Sequence, residues 1–145
     1  EMKSTGEVMG VGKTFGEAFV KSQMGAGTKL PRPLKADGTS SGKVFISVKN
    51  SDKARAVEVA RQLAAQGFRL IATKGTAAAI TAAGVDCETV NKVTEGRPHI
   101  IRTSALLNRV TTFTTIAGAE AAVEGMKYMD SLGVISVQEM HAQLA

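Results

Sequence analysis

The chain has 145 residues, 43% of them hydrophobic and 21% charged, which are the proportions of a single soluble globular domain. Its basic residues are scattered and only 4% of its residues are aromatic, so we attribute the net charge of +5 to anion binding and a basic linker rather than to nucleic acid. No apolar run approaches the roughly 18 residues of a membrane span, no signal peptide opens the sequence, and one cysteine excludes an internal disulfide, so we expect a cytoplasmic protein without a membrane partner.

Residues 1–27 are predicted to form a small helical unit of their own. Thr14 and Glu17 have the spacing of a capping box, and the apolar residues that follow fall on one helical face. Gly25 and Gly27 end that helix. Residues 28–42 then carry two of the three prolines among lysine, arginine, glycine and serine, a composition that is typical of a mobile linker.

From residue 43 onward, strand-like and helix-like patterns alternate. Short runs rich in β-branched residues predict three strands, at residues 44–48, 68–72 and 85–90. Ser51 is the predicted N-cap of a helix that Gly67 ends, and residues 76–83 form a short alanine-rich helix that Gly84 ends. Strands separated by helices of this length form parallel sheets.

The remainder of the chain continues the alternation less clearly. It predicts a helix that starts at Pro98 and covers residues 98–107, followed by a strand at residues 110–116 and a longer helix at residues 118–129. A short strand at residues 134–137 and a terminal helix at residues 138–144 complete the pattern. We therefore predict an α/β fold over residues 43–145, with a Rossmann-like parallel sheet of about four to five strands flanked by helices and preceded by the short helical segment.

Polar residues collect where the first three predicted strands end. Strand by strand, they are Ser47 and Lys53, then Thr73, Lys74 and Thr76, then Asn91 and Lys92. Ligands of open α/β sheets bind outside the carboxyl ends of the strands, and lysines, hydroxyls and helix N-terminal amides together suit a phosphate or a carboxylate. Loops are also polar because they face water, and the pattern alone leaves both explanations open.

The usual catalytic and cofactor signatures are missing. The sequence has neither a Gly-x-Gly-x-x-Gly motif nor a P-loop, and His99 and His141 lack partners at metal-ligand spacing. No serine, cysteine or carboxylate pair has the arrangement of a nucleophile and its base, and Cys87 lies in a strand-like run as a packed thiol. We expect no catalytic residue, no metal and no cofactor in this chain itself.

Four motifs resemble the large subunit of carbamoyl phosphate synthetases, in the right order along nearly the whole chain. Residues 2–10 (MKSTGEVMG) are similar to the end of the second ATP-grasp synthetase unit. Residues 72–76 (ATKGT) and 90–100 (VNKVTEGRPHI) are similar to the C-terminal allosteric domain. Residues 134–142 (VISVQEMHA) are similar to the terminus of bacterial large subunits.

The resemblance implies a methylglyoxal synthase-like α/β fold and a regulatory role. In bacterial members this domain binds UMP as an inhibitor and IMP as an activator, and ornithine activates from a neighbouring site. By matching positions, the nucleotide phosphate and ribose would be held by Ser47, Lys53, Thr73, Thr76 and Lys92. Thr114 matches a threonine of the ornithine site. Two residues before that threonine, enteric-type sequences have a tyrosine, whereas this chain has Thr112.

The resemblance also implies a parent enzyme that makes carbamoyl phosphate for pyrimidine and arginine biosynthesis. Its partners would be the rest of the large subunit and the glutaminase small subunit, and its cofactors ATP, Mg²⁺ or Mn²⁺, and K⁺. The alternative is a free-standing methylglyoxal synthase-type enzyme acting on dihydroxyacetone phosphate. That reaction needs a carboxylate base, and Glu95 is the only carboxylate near the loops after the second and third strands.

One departure from the family is large. Between Ile101 and Arg102 the family carries roughly thirty further residues, including an apolar strand whose loss from a parallel sheet would expose apolar surface. Either a disordered segment is absent from this sequence or the chain is a true deletion. We expect the first, because a deletion of that strand would destabilise the fold.

Overall fold

The computed structural model describes residues 8–32, 42–90 and 98–142. Within these ranges the chain forms three strands and six α-helices, with a 3₁₀ turn at Asn50–Asp52. In chain order they are α1 (Phe15–Gly25), β1 (Lys43–Ile46), α2 (Lys53–Ala65), β2 (Arg69–Thr73), α3 (Lys74–Ala82), β3 (Glu88–Val90), α4 (Pro98–Leu107), α5 (Ile116–Met126) and α6 (Val137–Ala142).

The three strands form one parallel sheet in the order β1-β2-β3, with α2 and α3 as the crossover helices. Ile46 lies beside Ala72, and Thr73 lies beside Val90. The predicted α/β class and parallel sheet are therefore confirmed. The predicted count of about four to five strands is wrong within the described residues, where the sheet has three.

Residues 110–116 are not the predicted strand. Their β-branched side chains favour extended backbone, but Thr115 ends the run as the N-cap of α5, and its Oγ1 accepts a hydrogen bond from the Gly118 amide at 3.1 Å. A helix therefore starts at Ile116, two residues before the predicted helix 118–129, and ends at Met126.

Residues 134–137 are not a strand either. Ser136 and Glu139 form a capping box, in which the Glu139 amide donates to Ser136 Oγ at 3.1 Å and the Ser136 amide donates to Glu139 Oε2 at 2.8 Å. The box starts α6 at Val137. Ser51 is likewise not the N-cap of α2, because it lies inside the 3₁₀ turn and Asp52 occupies the N-cap position.

α1 begins as predicted and packs against α5. Thr14 Oγ1 accepts a hydrogen bond from the Glu17 amide at 3.2 Å, and Val20 is fully buried. Small residues let the two helices approach closely, since a Cβ atom on Gly125 would lie only 3.2 Å from the Gly16 carbonyl oxygen and 3.3 Å from Val20 Cβ. The N-terminal helix thus shares the core of the α/β unit.

The described part of the predicted linker also lies on that core. Leu30 is buried, and the Thr111 hydroxyl donates to the Lys29 carbonyl oxygen at 2.6 Å. Residues 33–41 lie outside the described residues. The predicted division into residues 1–27, 28–42 and 43–145 stays a prediction.

Side chains from the helices α1, α2, α3 and α5 and from the first two strands form one core. Its members include Val20, Ile46, Val59, Leu63, Leu70, Ile80, Ala122 and Met126. The core therefore lies on the faces of the sheet and leaves the carboxyl ends of β1 and β2 at its margin.

α4 runs through Ile101 and Arg102 without a break. The expectation that a disordered segment is absent from this sequence stays a prediction. Downstream of the junction, Leu106 and Leu107 are 76% and 78% exposed.

Candidate functional site

The candidate site lies at the carboxyl ends of β1 and β2. β2 ends at Thr73 and α3 begins at Lys74, so strand and helix join without a loop. Thr73 is the N-cap of α3 with extended backbone, and its side chain makes no capping hydrogen bond to the amides of the first turn. Because the helix dipole is positive at this end, the junction favours a negatively charged group.

Three hydroxyl groups form a chain across this edge. Ser47 Oγ lies 3.4 Å from Thr73 Oγ1, and Thr73 Oγ1 donates to Thr76 Oγ1 at 3.2 Å. Thr76 Oγ1 also accepts a hydrogen bond from the Val48 amide at 3.4 Å, which ties the loop after β1 to α3. Ser47 is exposed and Thr73 half-buried, so the chain runs from the surface inward.

Thr76 forms the inner end of the hydroxyl chain and is 2% exposed. It is the only buried polar residue in the described ranges. A buried hydroxyl is stable only when it is hydrogen-bonded, and Thr76 meets this condition through Thr73 and Val48.

A lysine lies above the same helix end. Lys53 is the first residue of α2, and its Nζ is 3.3 Å from the position that a Cβ atom on Gly75 would occupy. In the described part of the chain Lys53 forms no ion pair with a carboxylate, whereas nearby Lys49 pairs with Asp52 at 3.9 Å. The ammonium group is therefore available for an anion beside the hydroxyl chain.

The structure thus brings together four of the six residues that the sequence predicts for ligand binding: Ser47, Lys53, Thr73 and Thr76. Lys92 lies outside the described residues, although β3 ends at Val90 beside Thr73. Thr114 is exposed in the bend before α5 and makes no described contact with the hydroxyl chain. Its assignment to a second, activator site stays a prediction.

An ion pair that sequence reasoning missed joins α2 to α5. Arg55 donates from Nε to Glu120 Oε1 at 2.8 Å and from Nη2 to Glu120 Oε2, a bidentate arrangement. These hydrogen bonds raise the pKa of Arg55 and lower the pKa of Glu120. The residues are far apart in sequence and carry no motif, so only the fold reveals the pair.

Two cavities lie away from the hydroxyl chain. One, of 240 Å³, lies between α2 and α5 and includes Glu58, Glu120 and Tyr128 in its lining. The other, of 360 Å³, lies between α1 and the segment before α6, with Met9 and Ile135 among its lining residues. Neither cavity includes a predicted site residue.

Cys87 and His141 are not part of the hydroxyl chain. Burial, followed by the charges of Asp86 and Glu88, raises the pKa of the Cys87 thiol, which therefore favours the unreactive protonated form. His141 is exposed on α6, and the side chain of His99 lies outside the described residues. In the described ranges, no group of metal-ligating side chains is placed to hold an ion, and no helix is long and apolar enough to cross a membrane.

An α/β domain whose parallel strands end in hydroxyls, a lysine and a helix N-terminus has an arrangement that suits a negatively charged group. A family model for the MGS-like domain matches residues 55–135, more than half of the chain, and the chain belongs to this family. This confirms the methylglyoxal synthase-like fold that the motifs predicted.

The chain is similar to named carbamoyl phosphate synthase large chains over 99% of its length. It is 49% identical to the large chain of Ralstonia nicotianae, 44% identical to that of Neisseria meningitidis serogroup A, and 43% identical to that of Pseudomonas putida. The chain spans about 15% of the length of these relatives. It therefore corresponds to the MGS-like part of such large chains.

The relatives are longer than this chain within the matched region. The match to the Ralstonia protein extends over 172 aligned positions, 27 more than the 145 residues of the chain. This agrees with the roughly thirty further residues that the motifs place between Ile101 and Arg102 in the family.

Proposed function

We propose that the chain is the regulatory nucleotide-binding domain of a carbamoyl phosphate synthase large chain. The similarity to named large chains supports the parent enzyme. The observation that carries the regulatory part is the hydroxyl chain from Ser47 to Thr76, which lies at the N-terminus of α3 beneath the ammonium group of Lys53.

This arrangement suits a phosphate monoester. The ammonium group supplies charge, the hydroxyls supply directional hydrogen bonds, and the start of α3 adds the positive end of the helix dipole. We assign the phosphate and ribose of the nucleotide to Ser47, Lys53, Thr73, Thr76 and Lys92. We propose UMP as the inhibitor and IMP as the activator, and we assign Thr114 to a separate site for ornithine.

The domain would control the enzyme without catalysing a step itself. The proposed partners are the rest of the large chain and a glutaminase small subunit, and the ATP, Mg²⁺ or Mn²⁺, and K⁺ of the reaction would bind outside this chain. A nucleotide that binds two conformations of the enzyme with different affinities shifts their populations by a coupling free energy of about 1–3 kcal/mol. UMP would then signal sufficient pyrimidine and IMP sufficient purine.

A double substitution tests the assignment of the phosphate site. Lys92→Ala combined with Thr76→Ala should lower the affinity for UMP by at least about tenfold, because a charge and a buried hydroxyl are lost together. Calorimetric titration measures the affinity, and circular dichroism checks that the variant is folded. Unchanged affinity in a well-folded double variant would remove both residues from the site.

A further inference from the structure

The contact between Lys53 and Gly75 joins the start of α2 to the start of α3. Lys53 Nζ lies 3.3 Å from where a Cβ atom on Gly75 would be, and Lys53 Cε lies 4.0 Å from it. Gly75 is the second residue of α3, and no positive φ angle requires a glycine there. Its backbone conformation is one that any residue adopts, so the reason for a glycine must lie in the space above it.

Glycine at this position is unfavourable for the helix itself. Glycine is a poorer helix former than alanine, and α3 is otherwise rich in alanine. The neighbouring Thr76 and Ala77 are buried, whereas Gly75 is exposed and not part of the core. The described structure around Gly75 thus contains one group that a side chain would disturb, the ammonium end of Lys53.

We propose that Gly75 is a positioning residue for the anion site: its missing side chain allows the Lys53 ammonium group to lie against the first turn of α3. This inference rests on the proposed function, since it concerns the anion that Lys53 and the hydroxyl chain bind together. A Cβ atom at 3.3 Å is closer than an ordinary van der Waals contact. The flexible lysine would move away from it, and its ammonium group would no longer lie against the first turn of α3.

The test compares Gly75→Ala with the unaltered chain, using inorganic phosphate as the probe. Alanine should raise or preserve the thermal stability, because it favours the helix. It should weaken phosphate binding about fivefold, less than the loss of a whole charged hydrogen bond, because the lysine is shifted and not removed. Thr81→Ala is the matched control, because it also favours the helix and lies at an exposed position near the other end of α3. Phosphate binding to the Thr81→Ala variant should equal that of the unaltered chain.

A double-mutant cycle separates positioning from simple obstruction of the anion. In a Lys53→Met background, Gly75→Ala should change phosphate affinity by less than about twofold, because the group on which it acts is gone. An equal loss in both backgrounds would mean that the alanine blocks the anion directly, and would overturn the proposal. Unchanged affinity in the single variant would overturn it as well.

A spectroscopic measurement covers the case in which Lys53→Met binds phosphate too weakly for the cycle. The ¹³Cε chemical shift of Lys53 should change on addition of phosphate to the unaltered chain and change much less in Gly75→Ala. Equal changes in both proteins would overturn the proposal. If the proposed function were wrong, the unaltered chain itself would show no saturable phosphate binding. That result is distinct from the ones that would overturn the role of Gly75.

Discussion

Thr76 connects the stability of the sheet edge to its chemistry. Its hydroxyl accepts hydrogen bonds from the Val48 amide and from Thr73, and it is nearly inaccessible to solvent. The same oxygen therefore holds the loop after β1 against α3 and ends the chain of hydroxyls that begins at Ser47. A change at this one atom should affect both folding and anion binding.

Replacement of Thr76 by valine tests this double role, because valine keeps the shape and removes the hydroxyl. The Val48 amide would lose its acceptor, at a cost of about 1–2 kcal/mol in the free energy of unfolding, and phosphate affinity should fall in the folded variant. Urea denaturation measures the first effect and calorimetric titration the second. Thr81→Val, at an exposed position of the same helix, is the control and should change neither property.

The proximity of Ser47, Thr73 and Thr76 could be predicted from the sequence, because the carboxyl ends of neighbouring parallel strands meet at one edge. The contact between Lys53 and Gly75 could not. It depends on how far the α2 lysine reaches over α3, a distance that only the packing of the two helices determines.

The helices α1 and α5 pack closely because glycines lie where they meet. A Cβ atom on Gly16 would come within 2.8 Å of Tyr128 Cε2, and one on Gly125 within 3.2 Å of the Gly16 carbonyl oxygen. Gly16 and Gly125 are both buried. The attachment of α1 therefore depends on small residues in two separate helices.

Substitution of Gly125 by alanine should destabilise the chain even though alanine favours helices. We expect a loss of about 1–3 kcal/mol from overpacking against Gly16 and Val20, which exceeds the gain of up to about 1 kcal/mol in helix propensity. Thermal or urea unfolding measures the net effect. An increase in stability, as propensity alone predicts, would contradict the close packing of α1 on α5.

The pair of Arg55 and Glu120 makes the contact between α2 and α5 sensitive to pH. Hydrogen bonds from Arg55 hold the pKa of Glu120 below its ordinary value of 4.5 in the folded chain. A carboxyl group whose pKa is lower in the folded state stabilises that state above its unfolded pKa, and this contribution is lost as the pH falls through the folded value. The pair should therefore stabilise the fold at neutral pH and not in strong acid.

Glu120→Gln should lower the melting temperature most at pH 7, and the difference from the unaltered chain should shrink as the pH falls below 4.5. Differential scanning calorimetry across this range measures the effect. Glu124→Gln on the same helix serves as the control, because Glu124 forms no ion pair among the described residues. A difference that stays constant with pH would exclude the ionised pair as its cause.

The elements that sequence patterns predicted wrongly are those in which a cap competes with strand propensity. Val110, Thr111 and their β-branched neighbours favour a strand, yet Thr115 starts a helix by accepting a hydrogen bond from Gly118. In the same way, Ser136 starts a helix by accepting a hydrogen bond from the Glu139 amide. Strands of a parallel sheet also need a neighbouring strand, and propensity within one segment does not show whether that neighbour is present.

For the whole molecule, the missing segment is the main difference from the relatives. The match to the Ralstonia large chain has 27 more positions than this chain has residues, and α4 continues where those residues would be inserted. Leu106 and Leu107 are exposed beyond that point. The hydroxyl chain and Lys53 lie on β1, β2 and their helices, in a part of the sequence separate from this junction.

An equilibrium titration of this chain with UMP, run beside IMP and inorganic phosphate, tests the regulatory assignment most directly. We expect saturable binding of UMP that phosphate competes away, with no turnover of dihydroxyacetone phosphate in the same sample. Absence of saturable binding for all three ligands would contradict a phosphate site at this edge. Turnover of dihydroxyacetone phosphate would contradict the regulatory role and favour a methylglyoxal synthase-type enzyme.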